Sequence, residues 1–234
     1  MANTSAKLEH LLGYQFQNPT LLERALTHRS WAYEKMPLGT DEEIRALQNE
    51  SMEFVGDAVL GMAVVEYLFN KYPASSEGEL TLMKHRLVST DTLAKNANKI
   101  GLGNYMRVGR GEEKTGGRRK QALLADTLEA VIAAIFFDSG YISARAFVHK
   151  ILAEDFRKIT PSSSIDYKTL LQEKLQSEKR QPPKYTVVKT EGPPHRRIFS
   201  VEAAWDDDKV EAEGSSIKSA EMAAANLALQ KLNS

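Results

Sequence analysis

Apolar residues recur along the first two thirds of the chain at three- and four-residue intervals, the period of helices that hide one face. One such run opens at Asn18-Pro19, an N-cap residue followed by a proline whose missing N–H is harmless at the first helical position. Ser76, with Glu79 three residues on, forms a capping-box pattern and predicts a helix through Leu82, Met83, Leu87 and Val88. The stretches from about Glu50 to Asn70 and from about Gln121 to Ser139 are the longest apolar helices, and they are expected at the buried centre of an all-helical domain. Gly140 is expected to close the second as a left-handed stop.

The texture changes at Thr160-Pro161-Ser162-Ser163-Ser164, small polar residues with a helix-breaking proline. This predicts a domain over 1–160, a linker over 161–165 and a second domain over 166–234. Beyond the break, Tyr167 to Ser177 has helical spacing in Leu170, Leu171 and Leu175, whereas Phe199, Val201, Ala203 and Trp205 alternate at period two, the mark of a half-buried strand. Turn-forming residues lie on both sides of that strand, in Glu191-Gly192-Pro193-Pro194-His195 and in Asp206-Asp207-Asp208. A last helix from about Ser216 to Leu232 carries Ile217, Ala220, Ala224 and Leu227 on one face. The predicted order is α-β-β-β-α, with helices on one face of a small antiparallel sheet, so the fold class is an all-α domain followed by a small α+β domain.

Composition narrows the function classes. With 42% hydrophobic and 26% charged residues in 234, the chain is long enough for real cores and is neither disordered nor fibrous. It contains no cysteine, which removes disulfides and thiolate sites and fits a reducing cytoplasm. No apolar run approaches membrane-spanning length, so no membrane role is expected. Thirty-one basic residues balance thirty-one acidic ones, so any nucleic acid must be held by local patches rather than by a global charge.

The most informative feature is acid inside the two most apolar helices. Glu50, Glu53 and Asp57 fall at i, i+3 and i+7 on one helical face, and Asp126 and Glu129 repeat the i, i+3 spacing in the second helix. Burying an unpaired carboxylate costs several kcal/mol, and neither segment has a base within one turn of its acids. The acids therefore lie on a solvated edge, pair with cations elsewhere in the fold, or hold a metal ion. Oxygen donors select Mg²⁺ or Mn²⁺ over zinc or copper, and the lack of histidine in either helix disfavours a di-iron centre of the Glu-x-x-His type.

At these residues the sequence resembles bacterial ribonuclease III. The resemblance is carried by Asn49-Glu50-Ser51-Met52-Glu53-Phe54-Val55-Gly56-Asp57-Ala58-Val59-Leu60, and is supported by Ala25-Leu26-Thr27-His28-Arg29-Ser30, Gly109-Arg110-Gly111-Glu112 and Leu124-Ala125-Asp126-Thr127-Leu128-Glu129-Ala130. The C-terminal part is similar to that family's double-stranded-RNA-binding domain. The resemblance implies an endonuclease that hydrolyses double-stranded RNA to staggered 5′-phosphate and 3′-hydroxyl ends, acting on ribosomal RNA precursors and structured messenger RNAs. It implies Glu53, Asp57, Asp126 and Glu129 as metal ligands, with Asp57 and Glu129 tied most directly to catalysis and Glu50 and Glu77 as further acids of the cleft. The metal, Mg²⁺ with Mn²⁺ as substitute, would polarise the scissile phosphate and activate a water. The family works as a homodimer, and the resemblance places Phe54 across the subunit interface; from the residue alone, an ordinary core phenylalanine is the simpler reading. The alternative function is a non-catalytic duplex-RNA-binding or assembly protein with the same fold.

Duplex RNA is read through 2′-hydroxyls and phosphates rather than base edges. The resemblance implies contacts from Gln172, Glu173 and Gln176 on the first helix, from His195 and Arg196 on the proline turn, and from Ser216 and Lys218 at the start of the last helix. Ile217 stands where the family usually has a lysine, and from Pro161 onward eleven basic residues face eleven acidic ones, so binding by this domain alone is expected to be weak. Arg118-Arg119-Lys120 is a solvated loop or a guide for RNA phosphates, and His28 reads as structural.

Overall fold

In a computed structural model, which describes residues 2–161, 166–193 and 196–232, side-chain caps set where helices begin. The helical unit runs through α1 (Ala2–Leu12), α2 (Pro19–Ala25), α3 (Arg29–Lys35), α4 (Asp41–Leu47), α5 (Glu50–Lys71), α6 (Glu77–Leu87), α7 (Thr90–Lys99), α8 (Arg110–Lys114), α9 (Gln121–Ile151) and α10 (Ala153–Lys158), with short 3₁₀ turns at Leu102–Asn104 and Gly117–Arg119. Asn18 accepts from Thr20 N to start α2, and Ser76 and Glu79 cap each other's backbone to start α6. Thr40 and Glu43 form a second reciprocal capping box at α4.

The long helices α5 and α9 are the axis of this unit. They run in the same direction: Gly56 lies against Glu129, Glu66 accepts from Tyr141 and Arg145, and Lys71 donates to the carbonyl of Phe156. Met52, Gly56, Val59, Leu60, Ala63, Val64 and Leu68 form the buried face of α5, spaced for one side of a helix. On α9, every residue from Leu124 to Ile135 is buried apart from the two acids, Asp126 and Glu129, which are half-buried. Gly140 has φ 77° and ψ −178°, a positive-φ conformation open essentially to glycine alone and not the left-handed helical one, and the chain resumes helix at once. It is a one-residue kink, not the helix stop the sequence suggests. Ala144, Phe147 and Val148 restore the apolar face beyond it, which gives the second half a reason to continue.

The chain divides into two compact units, Met1–Ser164 and Ile165–Ser234. In the second, α11 (Tyr167–Ser177) and α12 (Ile217–Leu232) flank β1 (Lys184–Glu191), β2 (Ile198–Trp205) and β3 (Asp208–Gly214) in the sequence. The sheet is antiparallel in the order β1-β2-β3, with Tyr185 opposite Ala203 and Ala203 opposite Val210. A bulge lies between Val187 and Lys189, and Asp206, at φ 47°, forms the tight turn into β3 with Asp207. Leu171, Leu175, Trp205, Ala225 and Ala228 form the core. The buried row of α12 is Ala220, Ala224, Ala225 and Ala228, whereas Ile217 and Leu227 are exposed. Small alanines let the helix approach closely, and that choice of contact face turns the two larger residues outward. No helix among the described residues is long and apolar enough to cross a membrane.

Candidate active site

Gly56 sets the geometry of the acids. A Cβ on it would overlap the carbonyl of Glu129, so only glycine lets α5 and α9 approach this closely. One turn earlier on α5 is Glu53, and one turn earlier on α9 is Asp126. The carboxylates of Glu53, Asp126 and Glu129 each offer an oxygen within 4.8 Å of the others. No lysine or arginine pairs with any of the three among the described residues, although all three are partly buried.

Their electrostatics follow from this crowding. Burial pushes the Glu129 carboxyl up to about 8, helped by the charges of Asp57, Glu53 and Asp126. Burial also raises Glu53, with Asp126, Glu50 and Asp57 adding to the effect, and it raises Asp126. Three oxygen donors that resist ionising together, with no protein cation to offset them, suit a hard divalent ion and offer no sulfur or nitrogen ligand for a softer one.

The remaining acids occupy different surroundings. Asp57 is exposed one turn beyond Glu53; it stands outside the group of three but acts on Glu129 and Glu53 through its charge. Glu50 is exposed, pairs with Arg29 at 3.2 Å and accepts from Gln48 Nε2 at 2.8 Å. Glu77 is exposed at the start of α6, where it accepts from the Thr81 hydroxyl. His28 accepts from Ser30 N and caps α3, a structural role, yet its imidazole also feels Glu112, Glu50 and Asp126. In the basic loop, Arg118 is held by Glu113 and by the carbonyl of Met106, and Lys120 by Glu112. Only Arg119 of those three lacks an ion pair among the described residues.

The chain is similar to known proteins over nearly all of its length. A ribonuclease-III-like family pattern matches residues 18–156, and a double-stranded-RNA-binding motif matches 167–232. Ribonuclease 3 of Clostridium acetobutylicum is 44% identical over 97% of this chain and 96% of its own length. Ribonuclease 3 of Syntrophotalea carbinolica is 41% identical over 99% and 98%. The chain belongs to the ribonuclease III family. The solved nuclease domain of ribonuclease III from Campylobacter jejuni, 36% identical, aligns with a TM-score of 0.57 over 66% of this chain and 97% of that domain. As a ribonuclease III with both domains present, it is an endoribonuclease of double-stranded RNA.

In the RNA-binding motif, Gln172, Glu173 and Gln176 are exposed on α11. Ser216 and Ser219 cap each other at the start of α12, and Lys218 is exposed beside them. Arg196 is exposed and its N–H donates to the carbonyl of Pro193. His195 lies outside the described residues. Phe54 is 79% exposed, so the ordinary core reading of that residue does not hold for this chain. Met62, Val65 and Phe69 are exposed further along α5, a group that only the burial of the opposite face reveals. The interval from Phe54 is helical, but the sequence alone cannot say which of two apolar faces is inside.

Proposed function

We propose that this ribonuclease III is Mg²⁺-dependent, with Mn²⁺ able to substitute, and that Glu53, Asp57, Asp126 and Glu129 hold the ion. The convergence of three unpaired carboxylates supports this reading most directly. When bound, the ion would neutralise charge on the scissile phosphate and acidify a water. Burial, helped by the charges of Asp57, Glu53 and Asp126, keeps Glu129 protonated at neutral pH, and a bound divalent ion would favour release of that proton. Asp57 adds its carboxylate from the solvent-facing side, and Glu50 and Glu77 are secondary members of the acidic cleft. Cleavage leaves 5′-phosphate and 3′-hydroxyl ends, staggered because two copies each cut one strand.

The homodimer forms through the exposed face of α5, where Phe54, Met62, Val65 and Phe69 present apolar surface to water. A second Campylobacter jejuni nuclease-domain structure is described as flexible in a region involved in dimer formation, which is consistent with self-association of this domain type. Gln172, Glu173, Gln176, His195, Arg196, Ser216 and Lys218 contact duplex RNA. Residues 161–165 serve as linker between domains 1–160 and 166–234. The protein works in the cytoplasm on ribosomal RNA precursors and structured messenger RNAs.

The direct test incubates the protein with long duplex RNA and Mg²⁺, with and without chelator, and maps the product ends. Cleavage that needs the ion, with 5′-phosphate products, supports the proposal. Asp57→Asn should retain duplex binding in Ca²⁺ while losing most cleavage in Mg²⁺. Chelator-resistant cleavage, or near-wild-type turnover by Asp57→Asn, would overturn the metal assignment. A passive duplex holder would have no use for converging carboxylates without partners.

A further inference from the structure

The segment Thr27-His28-Arg29-Ser30 has no part in the metal site, yet it is built rigidly beside it. The carbonyl of Thr27 accepts from the N–H of Asn49, the residue immediately before α5. His28 N donates to the carbonyl of Arg107, and Ser30 Oγ accepts from Gly109 N. His28 Nδ1 accepts from Ser30 N and fixes the imidazole. The backbone that carries Arg29 is therefore held from both sides, while the Arg29 side chain is 63% open to solvent. Its guanidinium rests on Glu50 at 3.2 Å, and Glu50 lies one helical turn before Glu53. Arg29 is thus a cation at the edge of a cluster whose inner acids have no cation.

We propose that Arg29 contacts a backbone phosphate of the duplex beside the metal-binding acids, leaving Glu50 when RNA enters. This rests on the nuclease reading above and adds a substrate contact to it. The exchange is easy on physical grounds. An exposed ion pair contributes little, whereas a duplex carries one charge about every 1.7 Å of axis, and a guanidinium fork matches phosphate oxygens. Glu50 keeps its hydrogen bond from Gln48 after the arginine leaves. A fixed backbone with a free tip places the charge near the scissile region without ordering a loop.

The test uses the full chain, Ca²⁺ in place of Mg²⁺, and a duplex of about 30 base pairs, longer than the roughly 16 that one double-stranded-RNA-binding domain spans. Affinity is measured between roughly 50 and 200 mM salt for wild type, Arg29→Ala, Arg29→Lys, Glu50→Gln and the Arg29→Ala/Glu50→Gln pair. Arg29→Ala should weaken binding roughly five- to tenfold and lower the salt slope by about one per protomer. Arg29→Lys should keep the slope and recover part of the affinity. In Mg²⁺, KM should rise with kcat nearly unchanged. Arg29→Ala should weaken binding equally in the Glu50→Gln background, because the contact is with RNA. An unchanged salt slope overturns the proposal. So does an effect of Arg29→Ala that disappears once Glu50 is neutral, since Arg29 would then act only as a tether for that acid. If the wild type leaves the duplex unbound, this proposal and the nuclease reading both fail; if wild type binds and Arg29→Ala matches it, this proposal alone does.

Discussion

Glu129→Gln should make the metal-free protein more stable at pH 8 even as it removes cleavage. Burial and three neighbouring acids push the Glu129 carboxyl up to about 8 in the folded chain, against an ordinary value of 4.5. A folded state that holds a proton the unfolded chain releases loses stability as pH rises between those values. The contribution is complete below pH 4.5 and is lost as pH passes through about 8. At about 1.4 kcal/mol per pKa unit, the interval corresponds to about 5 kcal/mol. Because the side chain keeps contact with water, roughly half of that, about 2–3 kcal/mol, is the expected effect. Glutamine has nearly the same shape and no charge to lose. Urea unfolding in chelator, followed by far-UV circular dichroism, should show the two proteins close together at pH 5 and the variant ahead by that margin above pH 8. Saturating Mg²⁺ should close the gap by stabilising the wild type, by about 2.7 kcal/mol at a hundred times Kd, and should do less for the variant. A gap that stays constant with pH, or a variant less stable at pH 8 in chelator, would refute the picture of crowded, unpaired carboxylates.

Three further outcomes follow from packing and charge. Gly56→Ala should force α5 and α9 apart, lower stability by about 1–3 kcal/mol as overpacking does, and reduce cleavage; a thermal melt and a turnover assay check both. Phe69→Asp, at a side chain 66% exposed, should leave the helical content intact and shift the protein toward monomer in sedimentation velocity. Ile217→Lys, at an exposed position beside Lys218, should tighten duplex binding and steepen its salt slope by about one.

Much of the fold is legible because the signals are local. Asn18-Pro19 and the Ser76/Glu79 pair announce helix starts, and each start is where those residues place it. The Thr40/Glu43 box is the same pattern and opens a helix that hydrophobic periodicity alone does not reveal, since α4 has just Ile44 buried. Gly140 is harder: a glycine marks a change of backbone, but whether the helix stops or resumes depends on what the next turns pack against. The same applies to α12, where alanine, rather than the larger apolar residues, chooses the buried face. The acids at i, i+3 spacing show in the sequence, and so does the shortage of nearby bases. That Glu53 meets Asp126 and Glu129, while Asp57 faces water, follows from the approach of two helices at Gly56. The Arg29–Glu50 pair is equally invisible to spacing, because twenty-one residues separate its members along the chain.

The two hydrophobic cores share no residue, and each unit contains one of the two tryptophans. Trp31 lies beneath the Arg107 guanidinium in the helical unit, and Trp205 is buried in the other. Each half thus contains a native fluorophore in its own setting. Converting Trp31 to phenylalanine leaves Trp205 emission as a readout of the duplex-holding half alone, with the change confined to the Arg107 stacking site of the half that cuts.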